Sequence, residues 1–194
     1  MTDTPFSISR YLSAPREICP RAEDRLADVA DEINALATAS RLTVWQRLKA
    51  LARALSATEP QKTFDVRLTS TLTPRAYMRD GGDIFFSIGA ILSRSPVVTL
   101  SVFCHEYAHL SLSYETFYPA LKTLNRQFKG EFSHLSNSTL LSPIELCAML
   151  RSVTLMETMA GLIRNDRAKE KLALLIRAEQ EKLDQLESQL KALQ

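Results

Sequence analysis

Two histidines and a glutamate in one short segment carry the plainest chemistry in this chain: His105-Glu106-Tyr107-Ala108-His109, the pattern H-E-x-x-H. On an α-helix, residues four apart sit one turn apart on the same face, so both imidazoles can be directed at one point. Two neutral imidazoles are good zinc ligands. Glu106 projects beside them, where it can take a proton from a water whose pKa a bound metal has lowered to about 7. Chance is a poor account of the pattern, because the chain has three His and two of them are here. The stretch leading into it, Val97 to Cys104, is apolar, and unpaired His and Glu would be costly to bury there. The motif therefore points to zinc-dependent hydrolysis without naming a substrate.

A catalytic zinc site normally has three protein ligands and keeps a fourth position open. The candidates for the third are Glu145, Glu157 and His134. On a helical wheel, Glu145 falls among Ala148, Met149, Met156, Met159 and Ile163, opposite Arg151, Thr154, Thr158 and Gly161. A carboxylate on such an apolar face needs a partner. The plainer role for it is local, since Ser142-x-x-Glu145 is itself a capping box. Glu157 lies nearer the edge of the face, where a salt bridge would explain it, and His134 sits in a polar loop where histidines are ordinarily surface residues. The order of preference is Glu145, then Glu157, then His134. Tyr114, Tyr118, His134 and Arg151 are unranked candidates for a donor to the developing oxyanion.

The elements that must position these groups follow from periodicity. Apolar residues at helical spacing predict a helix from Pro20 to about Ala39 and a second from Thr43, as cap with Gln46, to about Ser56. After Glu59-Pro60 the pattern turns to strand, with Phe64, Val66 and Leu68 alternating with polar residues. Ala76-Tyr77-Met78 then faces Ile84-Phe85-Phe86 across an Asp-Gly-Gly turn, a hairpin signal. A short helix over Ile88 to Leu92 leads to Ser95-Pro96, an N-cap followed by proline at the first helical position, and the motif helix starts there. Thr116 to Phe128 reads as a further helix and Lys129 to Leu141 as a loop. Ser142-Pro143 opens another helix, to about Arg164. From Asp166 onward, Leu172, Ile176, Glu179, Leu183, Leu186, Leu190 and Leu193 alternate steps of four and three. This heptad stripe of about three repeats has one polar interruption, Glu179, and suits a coiled coil or a helix packed on the N-terminal pair. The expected organisation is a mostly helical α+β domain over 1–165 with a small antiparallel sheet and with residues 1–16 as a surface arm, and an amphipathic helix over 166–194 open to a homodimer or a partner helix.

Composition bounds the remaining readings. With 45% hydrophobic and 24% charged residues, the chain is that of a globular protein able to bury a sizeable core. A net charge of +2 is too small to make nucleic acid the expected partner. No stretch approaches the roughly 18 to 20 apolar residues of a membrane span, and Met1 to Phe6 has neither the basic nor the apolar region of a signal peptide. Cys19, Cys104 and Cys147 are odd in number and lack C-x-x-C pairing, so they read as buried thiols of a reducing compartment, with the cytoplasm as the expected location.

The stretches from Pro74 to Leu110 and from Ser142 to Met149 resemble a known pattern. Gly81-Gly82-Asp83-Ile84-Phe85-Phe86-Ser87-Ile88-Gly89-Ala90-Ile91-Leu92, followed by Phe103-Cys104-His105-Glu106-Tyr107-Ala108-His109, is similar to the signature of gluzincin metallopeptidases of the HtpX and CAAX-prenyl-protease type. The absence of membrane helices makes the likeness closer to the compact soluble minigluzincins. The resemblance implies a zincin-like fold, Zn²⁺ held by His105, His109 and a Glu of an E-x-x-A-D sequence, and peptide-bond hydrolysis with Glu106 as base. Glu145-Leu146-Cys147-Ala148 fits E-x-x-A with Met149 at the Asp, and Glu157-Thr158-Met159-Ala160 fits with Gly161 there. It also implies that Ile84, Phe85, Phe86 and Ser87 form an edge strand to which a peptide or protein substrate could add. Two other functions stay open: a weakly active or inactive zinc-binding regulatory or interaction protein docking through its terminal helices, and a protease dedicated to one repressor or partner, as in the ImmA/IrrE type.

Overall fold

A computed structural model describes residues 25–58, 63–79, 82–131 and 142–191. The expected N-terminal arm and His134 lie outside these. A 3-10 turn (Leu26–Val29) runs into α1 (Ala30–Ala37), followed by α2 (Val44–Thr58), β1 (Val66–Thr69), β2 (Ala76–Met78), β3 (Ile84–Ser87), α3 (Ile88–Ser93), α4 (Pro96–Ser113), α5 (Tyr118–Glu131), α6 (Pro143–Leu162) and α7 (Asp166–Lys191). The class is α+β, mostly helical, with one small sheet. Among the described residues no helix is long and apolar enough to cross a membrane.

The motif helix α4 is the centre of the fold. Ser95 caps it, its Oγ accepting the Val98 N–H at 3.4 Å, and Pro96 occupies the first turn, where its missing N–H costs nothing. Val97, Leu100, Phe103, Tyr107, Leu110 and Leu112 are all buried, so α4 is covered around most of its circumference, as a core helix must be. Each such side chain contributes about 1.5–3 kcal/mol by leaving water. The most extensive packing of α4 is against α6, where Cys104 Sγ lies 3.4 Å from Met159 Sδ. Helix α6 repeats the start logic: Ser142 Oγ accepts the Glu145 N–H at 3.4 Å and Pro143 follows.

The sheet is mixed, where an antiparallel one was expected. Its order is β1-β3-β2: β2 and β3 form the expected hairpin, with Gly82 at φ 94°, but β1 pairs parallel to β3, Val66 opposite Ile84. Alternating residues reveal a strand but not its neighbour, and the backbone bond from Ile84 N–H to Asp65 O at 3.0 Å sets this one. Ser87 secures the exit from β3. Its hydroxyl donates to Thr73 O at 2.8 Å while accepting the N–H groups of Arg75 and Ala90 at 2.9 and 3.0 Å. Gly89 allows the next helix to start, because a Cβ there would fall 1.7 Å from Leu72 O.

The C-terminal helix α7 packs on α6 and α4. Asn165 Oδ1 accepts the Ala168 N–H at 2.9 Å, and Asn34 of α1 clips the preceding turn by bonding Leu162 O at 3.0 Å and the Arg164 N–H at 2.8 Å. Ala168, Leu172 and Ile176 join the main core, and Leu186 is also buried. The stripe that could have sealed a coiled coil is thus occupied within the chain up to Leu186.

Candidate metal centre

The helical spacing of the motif does what it should: His105 and His109 project from one side of α4, ring centroids 4.9 Å apart and nearly perpendicular. The opposing α6 brings in Glu145. Its Oε1 lies 3.0 Å from His105 Nε2 and its Oε2 3.1 Å from His109 Nε2, and one donor atom from each residue lies within 4.8 Å of the other two. The capping role weighed for Glu145 falls to its backbone N–H, which leaves the carboxylate for the histidines. A tetrahedral ion with bonds of about 2.0–2.2 Å holds its donors roughly 3.3–3.6 Å apart. The separations in this N,N,O set bracket that spacing, so the three residues could hold a metal ion.

The electrostatics follow from the same contacts. Hydrogen bonds from His105 and His109 hold the Glu145 carboxyl well below the usual carboxylate range, against the opposing effect of burial. Burial disfavours the charged imidazole of His105, but the Glu145 hydrogen bond and the charges of Glu145, Glu106 and Glu179 outweigh it and raise its pKa. Glu106 is buried, and desolvation pushes its carboxyl up even though both histidines pull it down.

Glu106 also meets the sheet. The bonds Arg79 N–H to Asp83 O and Ser87 N–H to Arg75 O make Tyr77 and Phe85 a hydrogen-bonded pair, so the backbone groups of Ala76 and Met78 point away from β3. There the Met78 backbone bonds the Glu106 carboxylate, its N–H donating. The strand beside α4 is therefore β2, and its outer edge faces the site. The edge strand expected at Ile84, Phe85, Phe86 and Ser87 is corrected: β3 is the central strand, flanked by β1 and β2. A parallel partner eighteen residues upstream leaves no local trace in β3 that would have warned of it.

The other candidates lie elsewhere. Glu157 is exposed and accepts a bond from Gln180 Nε2 of α7 at 3.0 Å. Arg151, expected on the polar side of its helix, is buried and bonds Ser111 Oγ and Glu115 Oε1, each at 3.0 Å, tying α6 to the end of α4. Tyr114 sits against Gly82, and Tyr118 lies under Lys122 Nζ, 4.8 Å from its ring centre. His134 is outside the described residues.

A cleft of about 560 Å³ opens beside His105 and Glu145. Val102, Met149, Met156, Leu175 and Leu186 give it apolar walls, and Glu179 and Lys182 line it from α7. Sequence reasoning assigned none of these α7 residues to the site. The signal was present, since Glu179 is the polar interruption in the heptad stripe, and it falls where the stripe reaches the cleft. The cysteine reading is also corrected. Cys147 is disulfide-bonded, while Cys104 is a buried thiol against Met159 Sδ. Wide spacing along the chain does not prevent pairing in space, and the reduced-thiol argument for a cytoplasmic location falls with it. Comparison with known proteins found no matching family model, no similar curated protein and no similar solved structure.

Proposed function

We propose that this protein is a zinc-dependent metallopeptidase of zincin-like fold, with His105, His109 and Glu145 as the metal site and Glu106 as the general base. The observation that carries this reading is the meeting of two imidazoles and a carboxylate next to a second, buried carboxylate. Zinc, when bound by these residues, would supply Lewis acidity, polarising a carbonyl and lowering the pKa of a water. The chain's own residues do the rest. Glu106, oriented by the Met78 N–H, takes the proton of the attacking water and returns it to the leaving amine, a cycle suited to a carboxyl whose pKa burial has raised. The outward N–H and C=O of Ala76 and the C=O of Met78 on β2 offer an extended peptide a strand to pair with, so main-chain hydrogen bonds would position the scissile bond.

A second reading is favoured by Met149. It lines the cleft where the gluzincin pattern has an Asp that supports the metal ligands, which suits a metal-holding binding protein of weak activity. Docking would then use faces of α7 other than its buried stripe, such as that of Leu174, 62% exposed. A second copy of the chain or a partner helix would meet the same restriction. A dedicated repressor-cleaving protease would share the site and differ only in substrate. A peptide-library digest with zinc-loaded, chelator-stripped and zinc-restored protein separates them. The peptidase reading expects cleavage that disappears on stripping, returns with zinc and requires Glu106. Zinc binding without such cleavage leaves the binding reading standing.

A further inference from the structure

The cleft has a charged wall that the peptide-hydrolysis reading does not use. Helix α7 contributes Leu175, Glu179, Lys182 and Leu186 to it, opposite Val102 of α4 and Met149 and Met156 of α6. The rotational setting of α7 is fixed: Leu172 and Ile176 are anchored in the core, Leu186 is buried farther along, and Gln180 is bonded to Glu157 of α6 at 3.0 Å. Glu179 stands seven residues from both Leu172 and Leu186, so it shares their inward face at the level of the metal-binding residues. Its charge is felt at His105. It pairs with Lys182 Nζ at 2.7 Å, and the two side chains differ in exposure, 33% for Glu179 against 61% for Lys182. The carboxylate thus belongs to the cleft, while the ammonium lies on its solvent side at the end of a flexible stem. An exposed pair of this kind is weak, so a cation entering the cleft can replace Lys182 at little cost.

We propose that Glu179 is a specificity-determining residue that selects peptides carrying a lysine or arginine side chain beside an apolar residue that packs against Val102, Met149, Met156 and Leu175. The proposal rests on the peptidase reading for its context. Glu179 does not touch the reacting atoms, so its effect belongs in substrate affinity and appears in KM with little change in kcat.

The test uses one peptide context with lysine, norleucine or glutamate at the selected position. Norleucine matches the lysine stem without its charge. Cleavage is measured with zinc-loaded wild type, Glu179→Gln and Glu179→Lys. Equilibrium binding of the same peptides is measured by calorimetry on the Glu106→Gln protein, with and without Glu179→Gln. The wild type should favour lysine over norleucine by roughly tenfold in kcat/KM, mostly through KM. Glu179→Gln should erase that preference and Glu179→Lys should shift it toward glutamate. Lysine favoured equally with and without Glu179, or no preference over norleucine, overturns the proposal. If no peptide is cleaved in a Glu106-dependent way, the peptidase reading falls, and the calorimetric preference alone then upholds or overturns the role of Glu179. Circular dichroism of each variant confirms that α7 remains folded.

Discussion

Replacing Glu145 by glutamine tests the joint between α4 and α6 on which the proposed metal centre depends. The substitution keeps the side-chain shape and leaves the helix start alone, because Ser142 Oγ bonds the backbone N–H of residue 145. It removes the negative charge that meets His105 Nε2 at 3.0 Å and His109 Nε2 at 3.1 Å. Losing a group that merely supports a metal ligand costs about 10–100-fold in affinity, so losing a ligand charge should cost about 100-fold or more. In the metal-free protein two charge-assisted hydrogen bonds are weakened. Each would be worth about 1.5–3 kcal/mol if dry. With Glu145 35% and His105 30% exposed, solvent screening reduces the combined loss to about 1–3 kcal/mol. At about 2–4 °C per kcal/mol for a chain of this size, the thermal midpoint should fall by several degrees. Competition with a chromophoric zinc chelator reads the affinity, and thermal melts of the stripped protein read the stability. Glu157→Gln is the control, since that carboxylate is exposed and bonds Gln180 of α7, away from the histidines. Glu145→Gln retaining zinc within about threefold, or Glu157→Gln losing it, would refute this assignment of the third ligand.

Three further outcomes are expected. Ala76→Pro removes an N–H that points away from β3 without disturbing the β2–β3 ladder; it should raise KM for extended peptides by roughly tenfold while zinc content stays unchanged, as measured by steady-state kinetics and metal analysis. Gly89→Ala places a Cβ 1.7 Å from Leu72 O, and urea denaturation should show a loss of about 1–3 kcal/mol or more, because a backbone carbonyl must move. In the metal-free protein, the raised pKa of His105 contributes stability that is complete below its ordinary value of 6.5 and is lost as pH rises through the folded value. The depressed pKa of Glu145 contributes stability above the ordinary carboxylate range that is lost as pH falls through its folded value. Melts of stripped protein should therefore weaken as pH is raised past 6.5, whereas zinc-loaded protein should gain over the same interval, because the ligands bind metal only when deprotonated.

What was legible in the sequence was local. Ser95-Pro96 and Ser142-Pro143 located the starts of α4 and α6 because capping is decided within one turn. The pairing of His105 with His109 followed from helical geometry, and a carboxylate on the apolar face of α6 needed a partner that proved to be those histidines. What escaped was set by tertiary pairing. β1 lies parallel beside β3, turning the expected edge strand into the centre, and Cys147 is bonded despite its isolation along the chain. The stripe of α7 was visible as a stripe, but period alone could not say that its partner is the flank of α4 and α6, with Glu179 lining the cleft. Met149 stands between the two kinds of case. Its departure from the E-x-x-A-D pattern was legible, and its place in the cleft wall needed the fold.

The most direct measurement compares wild type with Glu106→Gln for zinc per chain, by mass spectrometry, and for peptide cleavage on the same samples. The substitution is nearly isosteric and leaves His105, His109 and Glu145 in place. Both proteins should hold one zinc ion, and cleavage should fall by about 100-fold or more in the variant, the scale of a lost general base. Equal cleavage by the two proteins, or no zinc in either when purified without chelator, would contradict the assignment of Glu106 and its neighbours as a hydrolytic metal centre.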